Sequence, residues 1–248
     1  MNSWKQQMIS DISIYRDVRL NNLTSPRFRH VWLLLFWPLY GIAFSLVELW
    51  EQRDWTIVYW PGVDDIIPFC EWFVIPYMFW FAFLAGMVSF TLLFDIAAFR
   101  KTMYFIMITY TVTIIIYLIW PSAQELRPDI ASLGRDNFLT RFMAGFYEFD
   151  TNTNVCPSIH VLGSIAVLVG SWHCKYFKSA PWQIFFWVWT VLISLSTVFL
   201  KQHSAIDVPP AILLSALAYP FAFHGDKIFK RRKQTEQNAQ QTTQAVLK

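Results

Sequence analysis

His203 and Asp207 stand four residues apart in the stretch STVFLKQHSAID, Ser196 to Asp207. On a helix that spacing puts both on one face. A carboxylate bonded to one imidazole nitrogen fixes the tautomer and leaves the other nitrogen free to attack an electrophile. Lys201, two residues earlier, could meet a phosphate oxygen. A second histidine lies in Cys156-Pro157-Ser158-Ile159-His160, directly before an apolar run. Proline and serine there read as the start of a helix, with Ser158 as cap and free backbone N–H groups that attract an anion. His160 would sit in the first turn, over that anion. Arg127, in Glu125-Leu126-Arg127-Pro128, is a permanent cation of the kind that clamps phosphate. Each feature also has a plain reading: a surface His–Asp pair, an ordinary capped helix, a solvated loop arginine. Arg135 and Arg141 are assigned to solvent or lipid headgroups, and His30, His173 and His224 to the opposite side as interfacial residues.

The elements that must position these groups are membrane spans. Of 248 residues, 55% are hydrophobic, 19% aromatic and only 15% charged, against about 25% charged in a soluble domain. The apolar residues fall in runs near the ~20 residues that cross a bilayer. Six spans are expected, roughly 31–50, 69–94, 103–120, 159–173, 182–200 and 206–224, the fourth of them short. The fold class expected is all-α, a six-helix membrane bundle over residues 30–224. Lys and Arg concentrate before the first span, at Arg100 and Lys101, at Lys175 and Lys178, and after the last span. By the positive-inside rule both termini are cytoplasmic and the His-bearing loops face outward, at the plasma membrane in a bacterium. The third loop, with three arginines and five acids, blurs that pattern.

Residues 1–29 place Trp4, Met8, Ile12 and Tyr15 at helical spacing, which fits a helix on the inner leaflet or one packed on the protein. Residues 225–248 turn basic and then polar, as a disordered tail would. No cleavable signal peptide is expected. The net charge of +3 is orientation information and no footprint for nucleic acid. Trp55, Trp60, Trp72, Trp120 and Trp182 fit an interfacial belt. Cys70, Cys156 and Cys174 lack CxxC spacing, so no zinc or redox site is read. A Cys70–Cys156 disulfide is open.

With these residues in hand, the chain resembles the type 2 phosphatidic acid phosphatase superfamily over about residues 30–224. That family carries Lys-x6-Arg-Pro, Pro-Ser-Gly-His and Ser-Arg-x5-His-x3-Asp. Here the first is reduced to Arg127-Pro128, with Trp120 at the lysine position. The second reads Pro157-Ser158-Ile159-His160. The third reads Ser196-Thr197, then His203 and Asp207 at the family spacing, with threonine for arginine. The reduced pattern is similar to the branch of inositol phosphorylceramide synthases, which transfer a headgroup between lipids.

The resemblance and the residue chemistry together imply a mechanism. His203 attacks phosphorus and forms a phosphohistidine, Asp207 orients it, and His160 protonates the leaving group. Arg127, Lys201, Ser158 and Ser196 hold phosphate oxygens. No metal or other cofactor is implied. Substrate and partners would be a lipid phosphate and membrane lipids, with the oligomeric state open. Headgroup phosphotransfer is the alternative within the fold. A non-catalytic scaffold or transporter with a degenerate site is the alternative outside it. Gly86, Ser89, Thr109 and Thr111, which interrupt spans two and three, read as helix-packing positions.

Overall fold

The structure is a computed structural model, and it describes residues 3–50 and 54–225. The chain begins with a surface helix α1 (Ser3–Ser13). Helix α2 (Phe36–Glu48) continues from a 3-10 segment, Arg29–Leu35. A one-turn helix α3 (Val63–Ile66) precedes α4 (Val74–Phe94) and α5 (Ile96–Ile119). Helix α6 (Phe138–Phe149) precedes α7 (Ile159–His173) and α8 (Ala180–Phe199). Helix α9 (Ala205–Gly225) opens with a 3-10 turn. Among the described residues, five segments, Arg29–Glu48, Glu71–Phe94, Ile96–Ile119, Ala180–Phe199 and Ala205–Gly225, are long and apolar enough to cross a bilayer. The chain is an all-α membrane protein.

Helix α7 is the exception in length. Its 15 residues rise about 22 Å against a hydrocarbon layer of ~30 Å. It is also the core of the bundle. Eleven of its residues are buried, and α4, α5 and α8 all pack against it. Gly163 and Gly170 let the neighbours come close. A Cβ at Gly163 would lie 2.6 Å from the Tyr110 hydroxyl and 2.8 Å from Trp80 Nε1, and one at Gly170 would lie 2.6 Å from Thr102 Oγ1. Seven residues apart, the two glycines form one small-residue stripe. We expect Gly163→Ala to cost about 1–3 kcal/mol by overpacking, read as a lower midpoint of thermal unfolding in detergent. An unchanged midpoint would mean that Trp80 and Tyr110 yield freely.

The third expected span differs at its start. Helix α5 begins at Ile96, so Arg100 and Lys101 lie inside the helix and not in a loop. Asp95 joins α4 to α5 alone, and its side chain accepts from the Ala98 N–H at 3.1 Å. That one cap is enough to start a helix, and a long basic side chain near a helix end can reach the interface. Pro209 and Pro210 do not kink α9. They fall in its first α-helical turn, where a missing N–H costs nothing. The expected disordered tail falls on residues outside those described, apart from Gly225.

Helix α1 is packed on the protein. Asp11 pairs with Lys175 Nζ at 2.7 Å and accepts from the Tyr176 hydroxyl. Tyr15 Oη donates to the Leu92 carbonyl and meets His30 Nε2 at 2.7 Å. His30 is thereby buried rather than interfacial. At the opposite end, the loops before α4 and α7 are tied by a two-residue parallel pair, Thr56 to Ser122 and Ile57 to Ala123. Glu48 receives Thr151, Thr153 and Asn154 side chains there.

Candidate active site

The site is built where α8 turns into α9. Helix α8 ends in a Schellman pairing: Lys201 N–H donates to the Val198 carbonyl at 3.1 Å and Gln202 N–H to the Thr197 carbonyl at 3.0 Å. Lys201 takes the left-handed position at φ 52° that glycine usually fills. His203 N–H also reaches the Thr197 carbonyl, at 3.0 Å. The next residues start α9 with a capping box. Ser204 Oγ accepts from Ile206 N–H at 3.2 Å, and Ser204 N–H donates to Asp207 Oδ2 at 3.1 Å. Asp64, from α3, completes the cap by accepting from Ala205 N–H at 2.8 Å and from the Ser204 hydroxyl. A carboxylate at a helix N-terminus is electrostatically favoured. His203 is therefore fixed between two capped helix ends.

In that frame His203 Nδ1 lies 3.0 Å from Asp207 Oδ2, with the two residues 6% and 0% exposed. The contact spans a 3-10 turn rather than one face of an α-helix, which corrects the helical geometry expected. Asp207 can only accept, so Nδ1 carries the proton and Nε2 holds the lone pair. That nitrogen faces Ser158 Oγ at 3.3 Å. Ser158 is the N-cap residue of α7, yet its hydroxyl does not cap. It is turned to His203, while its N–H donates to the Asp207 carbonyl at 3.3 Å. The anion-attracting N-terminus of α7 thus opens beside Nε2. His160, in the first turn of α7, has its ring 5.8 Å from that of His203 and packed between Tyr77 and Trp80, at 4.4 and 4.5 Å. Its Nδ1 is buried without a hydrogen-bond partner.

Cys156 lies against the Asp207 carboxylate. Burial pushes its thiol up to about 12, and that carboxylate adds to the shift. Cys70 and Cys156 are both free thiols, so the disulfide left open by the sequence is not formed.

The four phosphate-binding candidates differ. Ser158 is at the site. Ser196 is buried in α8, and its hydroxyl donates to the Ile193 carbonyl at 2.6 Å, back into its own helix. Lys201 Nζ donates to the Asp64 carbonyl at 2.8 Å, with further donors left over. Burial lowers its pKa, while Asp64 and Asp65 oppose the shift. Arg127 acts as a clamp on the loop before α7. Its guanidinium donates to the carbonyls of Tyr147 (2.9 Å), Asp150 (2.7 Å) and Thr151 (2.7 Å) and to Gln202 Oε1. Burial lowers its pKa, and Asp150 acts in the opposite direction. Its Nε has no partner. Arg135 pairs with the buried Glu71 at 2.9 Å while its own side chain stays 45% exposed, so it both anchors that carboxylate and remains solvated. Arg141 pairs with Asp136 in the open, as a solvated residue would.

Several residues of the site had no sequence signal. Gln124 is fully buried and its amide donates to the Lys201 carbonyl at 2.9 Å, pinning the turn that carries His203. Asp150 accepts from Tyr77 Oη at 2.9 Å and from Gln202 Nε2 at 2.8 Å. Burial raises its pKa, with the Tyr77 hydroxyl, His203 and Arg127 pulling it back. Asp64 could have been suspected, as an acid near apolar spans; Gln124 could not. Among the described residues, no group of three His, Cys, Asp or Glu is placed to hold a metal ion. Comparisons of the chain with protein-family models, with curated proteins and with solved structures found no match.

Proposed function

We propose that the protein is a membrane lipid phosphatase that hydrolyses a phosphate monoester or diphosphate through a phosphohistidine at His203. The observation that carries this reading is the direction of the two His203 nitrogens: Nδ1 is held by a buried carboxylate and Nε2 is turned to the N-terminus of α7. That is the arrangement of an activated nucleophile beside an anion site. His203 Nε2 attacks phosphorus as the P–O bond to the leaving group breaks. His160 supplies the proton to the departing oxygen. Ser158 and the first-turn N–H groups of α7 hold the non-bridging oxygens, with Lys201 reaching them by releasing the Asp64 carbonyl. Arg127 positions the loop before α7 instead of gripping the phosphate. Water, or a lipid alcohol in the headgroup-transfer alternative, then takes the phosphoryl group and leaves His203 free.

In the membrane the basic end, with Lys175, Lys178, Arg100 and α1, faces the cytoplasm and the histidines face the other side. The resemblance to the type 2 phosphatidic acid phosphatases agrees with this reading. The experiment is phosphate release from a panel of lipid phosphates in detergent with EDTA. Release that persists in EDTA is the expected result. No release from any lipid phosphate, with transfer from a labelled phospholipid to an added alcohol, would replace hydrolysis by headgroup transfer. Neither reaction would leave the non-catalytic reading.

A further inference from the structure

A groove of about 820 Å³ runs along the bundle between α7, α8 and α9. Its rim carries Trp60, Val161 and Val208, and Trp172, Trp187 and Tyr219 line its far end. The rim belongs to the site. Val161 follows His160, and Val208 follows Asp207. Trp60 is tied in through Asp64, whose Oδ2 accepts its N–H at 2.8 Å while the same carboxylate caps α9. The floor is an aromatic cluster, with Trp172 6.2 Å from Trp187 and 6.4 Å from Tyr219. From Val161 to Trp172 the helix advances eleven residues, about 16 Å. Half of a ~30 Å hydrocarbon layer is about 15 Å. The groove therefore has the depth of one leaflet and starts where a headgroup at His203 would end.

We propose that this groove holds one hydrocarbon chain of the substrate, and that Trp172, Trp187 and Tyr219 form a floor that selects its length. The substrate class is then a lipid phosphate with its reacting group at His203 and a single chain lying between α7 and α9. The inference rests on the phosphatase reading for its kinetic test and on binding alone for its second test. An apolar wall one leaflet deep has nothing to gain from a polar occupant, and a hydrocarbon chain already in the bilayer is held there by van der Waals packing and by its tether to the phosphate. A surrounding bilayer lipid could enter the same groove. The difference is that only the substrate's chain is tethered to a phosphate at the rim.

The kinetic test compares lipid phosphates of increasing chain length on Trp172→Ala and Trp187→Ala, which lower the floor, and on Ser194→Phe, which fills the groove about one turn below the rim. The expected result is a preference moved to longer chains in the first two and to shorter chains in the third, by roughly tenfold in the ratio of kcat/KM. Unchanged chain-length profiles in all three variants overturn the proposal. The binding test uses a lipid phosphate with a photoreactive group at its chain terminus. Labelling at the Trp172–Trp187–Tyr219 floor, displaced by unlabelled lipid phosphate and not by a neutral diacyl lipid, supports the proposal even if no phosphate is released. Labelling there that the neutral lipid displaces equally assigns the groove to bulk lipid and overturns it.

Discussion

His203→Gln loses phosphate release by roughly 10⁴-fold or more and no longer forms a covalent phosphoenzyme. Glutamine keeps approximate size and an amide near Asp207, so the site stays filled while the nucleophile is removed. Groups that act as one catalytic unit show losses of this order when the nucleophile goes. The measurement is a rapid acid-or-alkali quench with labelled lipid phosphate. A phosphohistidine is stable in alkali and lost in acid, because its P–N bond cleaves once the ring is protonated. This detail matters because Ser158 Oγ, His203 Nε2 and Asp207 also stand in the order of a serine nucleophile, base and carboxylate, with Ser158 Oγ 3.3 Å from Nε2. If Ser158 were the attacking atom, the label would survive acid and would vanish in Ser158→Ala. Acid-labile phosphate that persists in Ser158→Ala and disappears in His203→Gln assigns attack to the imidazole. We expect that outcome because the His203 lone pair already faces the anion-binding end of α7, whereas the serine needs His203 to remain unphosphorylated as its base.

The His203–Asp207 contact was legible in the sequence because it is local. His203 and Asp207 need only a short turn to meet, and the turn's own signals, Ser204 and Asp207 as a capping box, stand in the same stretch. Helix α7 was bounded correctly at Ile159–His173 for a similar reason, since Pro157 and Ser158 mark its start. Other contacts were not legible, and the reasons differ. Arg127 was legible as a permanent cation, but its contacts with carbonyls at 147, 150 and 151 are ones that no spacing rule can supply. Ser196 fits a motif position, yet a serine inside a helix can satisfy its hydroxyl on the preceding turn, and this one does. Gln124 is 77 positions from the carbonyl it pins. Helix α5 was begun too late because Arg100 and Lys101 read as loop charges, whereas the cap at Asp95 decides where the helix starts. Periodicity finds apolar spans; it cannot find the polar contacts that join their ends.

His160→Phe lowers hydrolysis of an alkyl phosphate by about 10²–10⁴-fold and changes that of an aryl phosphate much less. The prediction follows from what the imidazole is placed to do. Its ring packs tilted against Tyr77 and Trp80, at 32° and 50°, and Nδ1 has no partner, so the local packing uses the ring and not a hydrogen bond from Nδ1. A phenyl ring preserves that packing and removes only the proton donor. An alkoxide leaves poorly unless protonated as the P–O bond breaks, whereas a phenolate with a low pKa leaves unaided. A purely structural His160 would give equal losses on both substrates, and a role in binding would raise KM on both. A loss confined to kcat/KM for the poor leaving group identifies proton donation. The same comparison in Asp207→Asn serves as the contrast: the carboxylate acts through the nucleophile His203, so its loss slows both substrates alike. Two variants a few ångströms apart would then differ in their dependence on the leaving group, which is the signature expected when one histidine attacks phosphorus and the other releases the oxygen.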